Sequence, residues 1–337
     1  MRALILAFFL FQIVAPLGAQ MPPVGRIEVF GHPGARERIR SALADLEGRP
    51  VPSDLKARAD SLEALQGVDE VGIDAVCCDG GLTTLYVAVR AGDVPGPRFR
   101  NAPGGHVRLP HSIVALGERF DQALEDAVRR GAVAEDHSAG HALMQDSAAR
   151  RVQEEFIRIA ASEDSLVRAV LAESEDAAHR ALAAQVLSYS PEKQGIVAPL
   201  LAAARDPDPT VRNESIRSLW ILASWAGEHP GTGIHIPPEP FIDLLHSVAW
   251  TDRNKAAMVL MQLSSTRDSA LIAALRGRAF DPLVDMARWA DMGHAFPGVV
   301  MLGRIAGLTE ESIFAALSQG RKDQIVDAAL RSRAPGT

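Results

Sequence analysis

Aromatic residues make up only 5% of this 337-residue chain, and cysteine occurs twice. A hydrophobic content of 47% with so few aromatics predicts a core of Ala, Leu, Val and Ile, which suits closely packed helices. Phosphate-binding P-loops and the GxGxxG and GxSxG patterns are absent from the sequence, and no spacing supports a Ser/His/Asp triad. The sequence therefore predicts a protein that is not an enzyme and that uses no cofactor.

The sequence also has no long runs of acidic or of basic residues. The chain has 35 Lys and Arg residues against 42 Asp and Glu residues, a formal net charge of −7. An anionic chain without a basic stripe is poorly suited to bind nucleic acid or an anionic membrane surface. We therefore expect no nucleic-acid partner, and no segment after the N-terminus is apolar enough to span a bilayer.

The N-terminus has the three-part pattern of a secretory signal. Arg2 precedes an apolar run from Ala3 to Val14, and Pro16 and small residues follow. The pattern predicts a signal peptide over residues 1–19 and an exported, periplasmic or secreted protein with no membrane span in the mature chain. An uncleaved N-terminal anchor is the alternative.

A small domain is predicted over residues 24–91. Ile27 and Val29 alternate with polar neighbours, which is typical of a half-buried strand. Apolar residues at helical spacing then predict two helices. Two strands follow, with Asp-Gly-Gly at residues 79–81 as the hairpin turn between them. The predicted order is β-α-α-β-β.

Four segments of this domain, "IEVFG", "IRSALADLEGRPV", "LEALQGVDEV" and "TTLYVAV", resemble a POTRA domain. The resemblance implies a periplasmic binding domain whose exposed sheet edge accepts a strand from another envelope or exported protein. The second strand is the expected free edge, and Asp74 is one of the charges expected to protect it. The candidate protein-binding residues are Val71, Gly72, Ile73, Asp74, Val76 and Cys78.

The two cysteines, Cys77 and Cys78, are adjacent at the end of this second strand. Adjacent thiols cannot form a tetrahedral zinc site alone, and no CxxC spacing surrounds them. Packing of Cys77 with an exposed Cys78 thiol is the favoured interpretation. A vicinal disulfide, formed after export, and a role in dimerisation or ligand binding remain open.

A Pro- and Gly-rich linker over residues 92–108 and a helical connector over 109–161 follow the first domain. The connector contains the densest polar cluster in the chain, formed by Asp136, His137 and His141. On a helix, His137 and His141 would share one face and offer two metal ligands, but the HExxH pattern is absent. The simpler interpretation is a helix start capped by Asp136 or Ser138.

Three later segments repeat a pattern of an arginine, a small residue three positions later and a leucine four after that. "ARDPDPTVRNESIRSLWIL" resembles the HEAT repeat, with Asp206 and Asp208 in its turn. The resemblance implies a solenoid of helical pairs over residues 162–334 that binds other proteins. The arginines are expected to pair with turn aspartates of a neighbouring repeat, which is a structural role. They are Arg180, Arg212 and Arg253.

Together these features predict an α+β chain: a small β-α-α-β-β domain followed by an all-α, HEAT-like helical-repeat solenoid. The predicted function is a non-enzymatic scaffold for protein–protein interaction. The alternative is an exported metal- or ligand-binding protein or enzyme that uses the cluster of Asp136, His137 and His141.

Overall fold

The computed structural model describes residues 21–92 and 95–333, with the backbone alone described at Cys78 and Asp79. The signal peptide predicted over residues 1–19 lies outside the described residues. Within those described ranges, no helix is both long and apolar enough to cross a bilayer.

The N-terminal part has the predicted β-α-α-β-β order: β1 (Val24–Gly31), α1 (Arg36–Leu43), α2 (Leu55–Glu63), β2 (Glu70–Asp79) and β3 (Leu82–Arg90). The strands lie in the order β1-β3-β2, with β3 parallel to β1 and antiparallel to β2. Gly80 and Gly81 both have positive φ angles, as a tight hairpin turn requires. This order leaves β2 at one edge of the sheet, as predicted.

One face of the sheet packs on α1 and α2. Alternate strand residues point to the same face, so the period of two in the sequence sorts the apolar side chains onto this side. Their burial against the helices forms the core of the small domain. The strand residues in this core include Ile27, Val29, Val71, Leu85, Val87 and Val89, and Ile73 and Ala75 pack against it.

The middle of the chain is mainly helical, with a short two-stranded ladder formed by β4 and β5. Helices α4, α6 and α8 each begin behind an aspartate, Asp146, Asp176 or Asp208, whose carboxylate accepts amides of the first turn. The elements are α3 (His111–Arg129), β4 (Glu135–Asp136), β5 (Leu143–Met144), α4 (Ser147–Ser162), α5 (Asp164–Glu173), α6 (Ala177–Leu187), α7 (Val197–Ala203) and α8 (Pro209–Glu228).

The last part of the described chain is helical as well. Asp268, Asp291 and Thr309 cap the starts of three of these helices with their side chains. The helices are α9 (Glu239–Leu244), α10 (Trp250–Leu263), α11 (Ser269–Arg278), α12 (Phe280–Arg288), α13 (Met292–Ile305), α14 (Glu310–Ser318) and α15 (Lys322–Arg333). A small sheet domain followed by a mostly helical, repeat-like body agrees with the predicted fold class.

The three arginines of the repeat have a structural role, and for Arg180 it includes the predicted ion pair. All three arginines are buried, and each donates to the backbone carbonyl oxygen six residues earlier, in the turn before its own helix. The bonds run from Arg180 to Ser174 at 2.8 Å, from Arg212 to Asp206 at 2.8 Å and from Arg253 to Ser247 at 2.5 Å. Arg180 also pairs with Asp206, the turn aspartate of the next repeat, as predicted.

The compact units do not follow the predicted order of domain, linker, connector and solenoid. One unit comprises Arg98–Pro240. The other combines described residues 21–92 and 95–97 with 241–333, so the sheet domain and the last helices form one body. The sequence suggested consecutive domains because a local pattern does not reveal which distant helix covers a sheet face.

Candidate functional site

The outer edge of β2 is the first candidate site. The amide of Val71 donates to Glu63 Oε1 at 3.0 Å and so points away from β3. Alternate residues of an antiparallel strand direct their amides the same way, so the amides of Ile73 and Ala75 also face the outer edge. In the described ranges, β2 pairs with β3 alone.

Both faces of β2 are already committed to the fold. Val71, Ile73 and Ala75 belong to the core against α1 and α2. On the opposite face, a Cβ atom added to Gly72 would lie 2.1 Å from the carbonyl oxygen of Val248. A partner strand would therefore contact the backbone of β2 rather than its side chains.

Asp74 does not act as an exposed charge that protects the edge. Its Oδ2 accepts the Trp250 amide at 2.8 Å, at the first turn of α10. The N-cap residue of α10 is Ala249, which has no capping side chain, whereas α6 and α8 have Asp176 and Asp208 at this position. Asp74 thus supplies, from the sheet, the carboxylate that this helix start lacks.

Burial raises the pKa of Asp74 from 3.8 to about 6, the nearby charge of Asp252 adds to the rise, and the bond from the Trp250 amide opposes it. A raised pKa means that the folded protein binds more protons than the unfolded chain between about pH 4 and pH 6. Stability from this group is therefore greatest at low pH and falls as pH rises through that window.

Replacing Asp74 with asparagine is expected to remove this pH dependence. The amide oxygen of asparagine can still accept the Trp250 amide, but no charge is buried. We expect Asp74→Asn to be about 1–2 kcal/mol more stable than the parent at pH 7 and equal to it near pH 4. Urea unfolding at both pH values measures the difference. Parallel stability curves for the two proteins would contradict the burial of this carboxylate.

Val76 and the cysteines complete the predicted strand residues. Val76 is buried, at 3% exposure. Cys77 is disulfide-bonded. The favoured interpretation of Cys77 as a packed free thiol is therefore wrong, because the local strand pattern carries no information on the oxidation of sulfur. The side chain of Cys78 lies outside the described residues.

The second face of the sheet holds an aromatic cluster that the sequence did not reveal. Tyr86 stacks on Trp250 at 5.3 Å between ring centroids and contacts Trp289 edge-on at 4.9 Å. The Tyr86 hydroxyl lies 2.6 Å from His294 Nδ1. The sequence of β3 carried one signal of this second covered face, because a near-continuous apolar run is typical of a strand covered on both faces. In the structure, β3 is buried from Thr83 to Val89.

The polar cluster predicted as a metal site is divided in the structure. Residues between β4 and β5 form turns, so the prediction that His137 and His141 share a helix face is wrong. His137 Nε2 lies 3.0 Å from Glu135 Oε2, and His141 Nδ1 lies 2.9 Å from Lys193 Nζ. Among residues 21–92 and 95–333, no group of three or more His, Cys, Asp or Glu side chains is placed to hold a metal ion.

Asp136 and Glu135 show why a turn forms here. Asp136 Oδ1 accepts the Ser138 amide at 2.9 Å, which closes a local turn in place of the first turn of a helix. Glu135 accepts from Arg217 at 2.5 Å. Burial opposes ionisation of Glu135, but Arg217 and His137 outweigh it and hold its pKa below the usual value. This buried charge pair attaches the turn to α8.

A groove of about 440 Å³ on α3, α6 and α8 is a second candidate surface. Its apolar lining includes Val114 and Leu182. Glu118, Asp121 and Glu214 line it. Burial and the charges of Glu214 and Glu118 raise the pKa of Asp121 to about 6. The groove therefore combines apolar surface with acidic side chains.

Comparison with known proteins gives neither a family nor a relative. No family profile matches the chain, and no curated protein matches it. Similar solved structures include three designed armadillo repeat proteins. The first is 14% identical with a TM-score of 0.37, over 58% of this chain and 98% of its own.

The second, described as designed for modular peptide recognition, is 15% identical with a TM-score of 0.34, over 66% of this chain and 99% of its own. The third, in complex with the peptide (KR)4, is 15% identical with a TM-score of 0.34, over 67% of this chain and 99% of its own. The helices and strand edge described above, rather than these similarities, support the proposals that follow.

Proposed function

We propose that the protein is a non-enzymatic protein-interaction scaffold that accepts an extended segment of a client protein along the outer edge of β2. The observation that carries this proposal is the edge itself, where the amides of Ile73 and Ala75 face away from β3. Unpaired backbone groups at a sheet edge are a template for another strand. Because both faces of β2 are occupied, recognition is through the main chain, with little side-chain preference.

The length of the edge limits the affinity. The Val71 amide already donates to Glu63. The pairing of β2 with β3 is irregular between Cys77 and Asp79. A client can thus form only a few main-chain hydrogen bonds, each with a net contribution of about 0.5–1.5 kcal/mol. Such an edge alone binds a client weakly.

The setting that we propose is the cell envelope or the exterior, and the clients are other exported proteins. This part of the proposal rests on the sequence of residues 1–19. An extracytoplasmic setting also agrees with the disulfide bond at Cys77, because disulfides persist in oxidising compartments.

The edge can be tested with one position and two substitutions. Ala75→Pro removes an outward-facing amide, which an edge strand tolerates, and Ala75→Val keeps the amide in a strand-favouring residue. Peptides selected from a random phage-displayed library against the parent protein serve as the probe. We expect Ala75→Pro to weaken peptide binding at least about tenfold, the loss of one or two main-chain bonds, while Ala75→Val binds like the parent.

Two measurements keep the result clear. Equal thermal unfolding midpoints for Ala75→Pro and Ala75→Val would show that the loss of binding is not a loss of folding. Asp121→Lys reverses one charge of the groove. If selected peptides bind Ala75→Pro as they bind the parent but fail with Asp121→Lys, the groove and not the edge is the binding surface. If no peptide binds the parent, the scaffold proposal is wrong.

A further inference from the structure

The environment of Lys193 sets it apart from the other lysines. The sequence contains only four: Lys56, Lys193, Lys255 and Lys322. Lys193 lies in the turn after α6, where its Nζ is 2.9 Å from His141 Nδ1 and 2.9 Å from the carbonyl oxygen of Ser188. The lysine is half-buried, and His141 is only 8% exposed.

This arrangement leaves the ammonium ion poorly compensated. Neither of its two partners is a carboxylate, and no carboxylate in the described part of the chain lies within ion-pair distance of Nζ. For the ammonium to donate to Nδ1, the imidazole must be neutral and carry its proton on Nε2, a buried atom with no hydrogen-bond partner. A second positive charge on His141 would face the first directly, so the two groups cannot both be charged at little cost.

The titration of the pair agrees with its geometry. Burial lowers the pKa of Lys193 to about 8. Burial, and next the charge of Lys193, lower the pKa of His141 to about 4, against the opposing charge of Asp136. Near pH 8 the imidazole is therefore neutral and about half of the Lys193 side chains are free amines.

The other lysines are held differently. Lys56 donates to both carboxylate oxygens of Asp60, and its pKa is raised by that bond. Lys322 is half-buried and donates to the carbonyl oxygen of Trp289, and burial lowers its pKa against the opposing charges of Asp323, Glu28 and Asp291. Lys255 is buried, at 7% exposure. Lys193 thus combines solvent access with two neutral acceptors. The neutral amine has two N–H groups, which can donate to these two acceptors. Its lone pair occupies the remaining tetrahedral position of the nitrogen.

We propose that Lys193 is a nucleophilic amine that captures small aldehydes as imines. The nitrogen lone pair attacks the carbonyl carbon, a C–N bond forms, and the carbonyl π electrons move to oxygen. A proton passes from nitrogen to that oxygen, and loss of water gives the C=N bond. The sequence of steps needs no oxidant or reductant. His141 and the Ser188 carbonyl position the amine, and burial disfavours its ammonium form.

Reductive methylation of the full chain tests the site. Formaldehyde forms the imine, cyanoborohydride reduces it to the methylamine, and digestion with mass spectrometry reports each lysine separately. At pH 7 we expect Lys193 to react about tenfold or more faster than Lys56, because far more of it is the free amine. Its rate should level off near pH 8–9, whereas the rate of Lys56 should still be rising.

Two charge-conserving variants provide the matched control. With pyridoxal and no reductant, the imine absorbance of the parent at pH 8 should largely disappear in Lys193→Arg and persist in Lys56→Arg. The proposal is overturned if Lys193 and Lys56 of the parent are methylated at similar rates, or if the two variants lose the same absorbance. The methylation rates come from the parent protein, so the test does not depend on the folding of either variant.

Discussion

Replacing Asp206 with alanine is expected to lower the free energy of unfolding by about 3–5 kcal/mol. Asp206 is fully buried, and its two oxygens accept from Arg180 Nε at 2.9 Å and Nη2 at 2.7 Å. Arg100 donates to the same carboxylate at 2.6 Å, and the Asp208 amide donates at 3.0 Å. Without the carboxylate, the buried Arg180 guanidinium is left without a counter-charge. An uncompensated buried charge is the main reason why removing one partner of a buried ion pair is strongly destabilising.

The neighbouring Asp208 offers a matched control. Its carboxylate caps α8 through the amides of Thr210 and Val211, so Asp208→Ala removes a cap and leaves the ion pair intact. A lost cap costs about 0.5–2 kcal/mol. Guanidinium unfolding of the full chain, followed by helical circular dichroism, compares the two variants. If Asp206→Ala costs no more than Asp208→Ala, the buried pair does not hold the repeat together.

The second large effect is expected from Leu219→Ala, at about 2–5 kcal/mol. Leu219 is fully buried in α8, and the truncation both removes apolar contacts and leaves a cavity. The same unfolding measurement applies. Thr210→Ala, at an exposed position of the same helix, should change stability by less than about 0.5 kcal/mol. A cost below about 1 kcal/mol for Leu219→Ala would mean that the arginine–leucine spacing does not mark the buried face.

Several features were predictable because neighbours along the chain determine them. The alternation of Ile27 and Val29 indicated the strand and its buried face. The spacing from Arg212 to Leu219 indicated the repeated pattern of α8, and Asp208 was predicted in the turn that precedes this helix. Each of these signals depends on the helical or strand period or on a side chain that reaches its own backbone, and both act over a few residues.

The candidate site was predictable only in part. The position of β2 at the sheet edge was expected only from the resemblance of the first domain to a known family. The role of Asp74 was not predictable, because the sequence pattern of an aspartate in a strand is the same whether its carboxylate lies on an exposed edge or against the start of a helix. His137 and His141 have the spacing of a helix face, but the Asx turn at Asp136 and the ion pair between Glu135 and Arg217 hold this stretch as a turn.

The sequence by itself determined the local elements: the strands, the helices and the hairpin turn. Only the tertiary structure decided that α10 starts against Asp74, that Tyr86 meets Trp250, and that Lys193 lies beside His141. The physical reason is range. Periodicity and capping act within one or two turns, whereas burial pairs surfaces that lie far apart in sequence, as the separation of 176 positions from Asp74 to Trp250 shows.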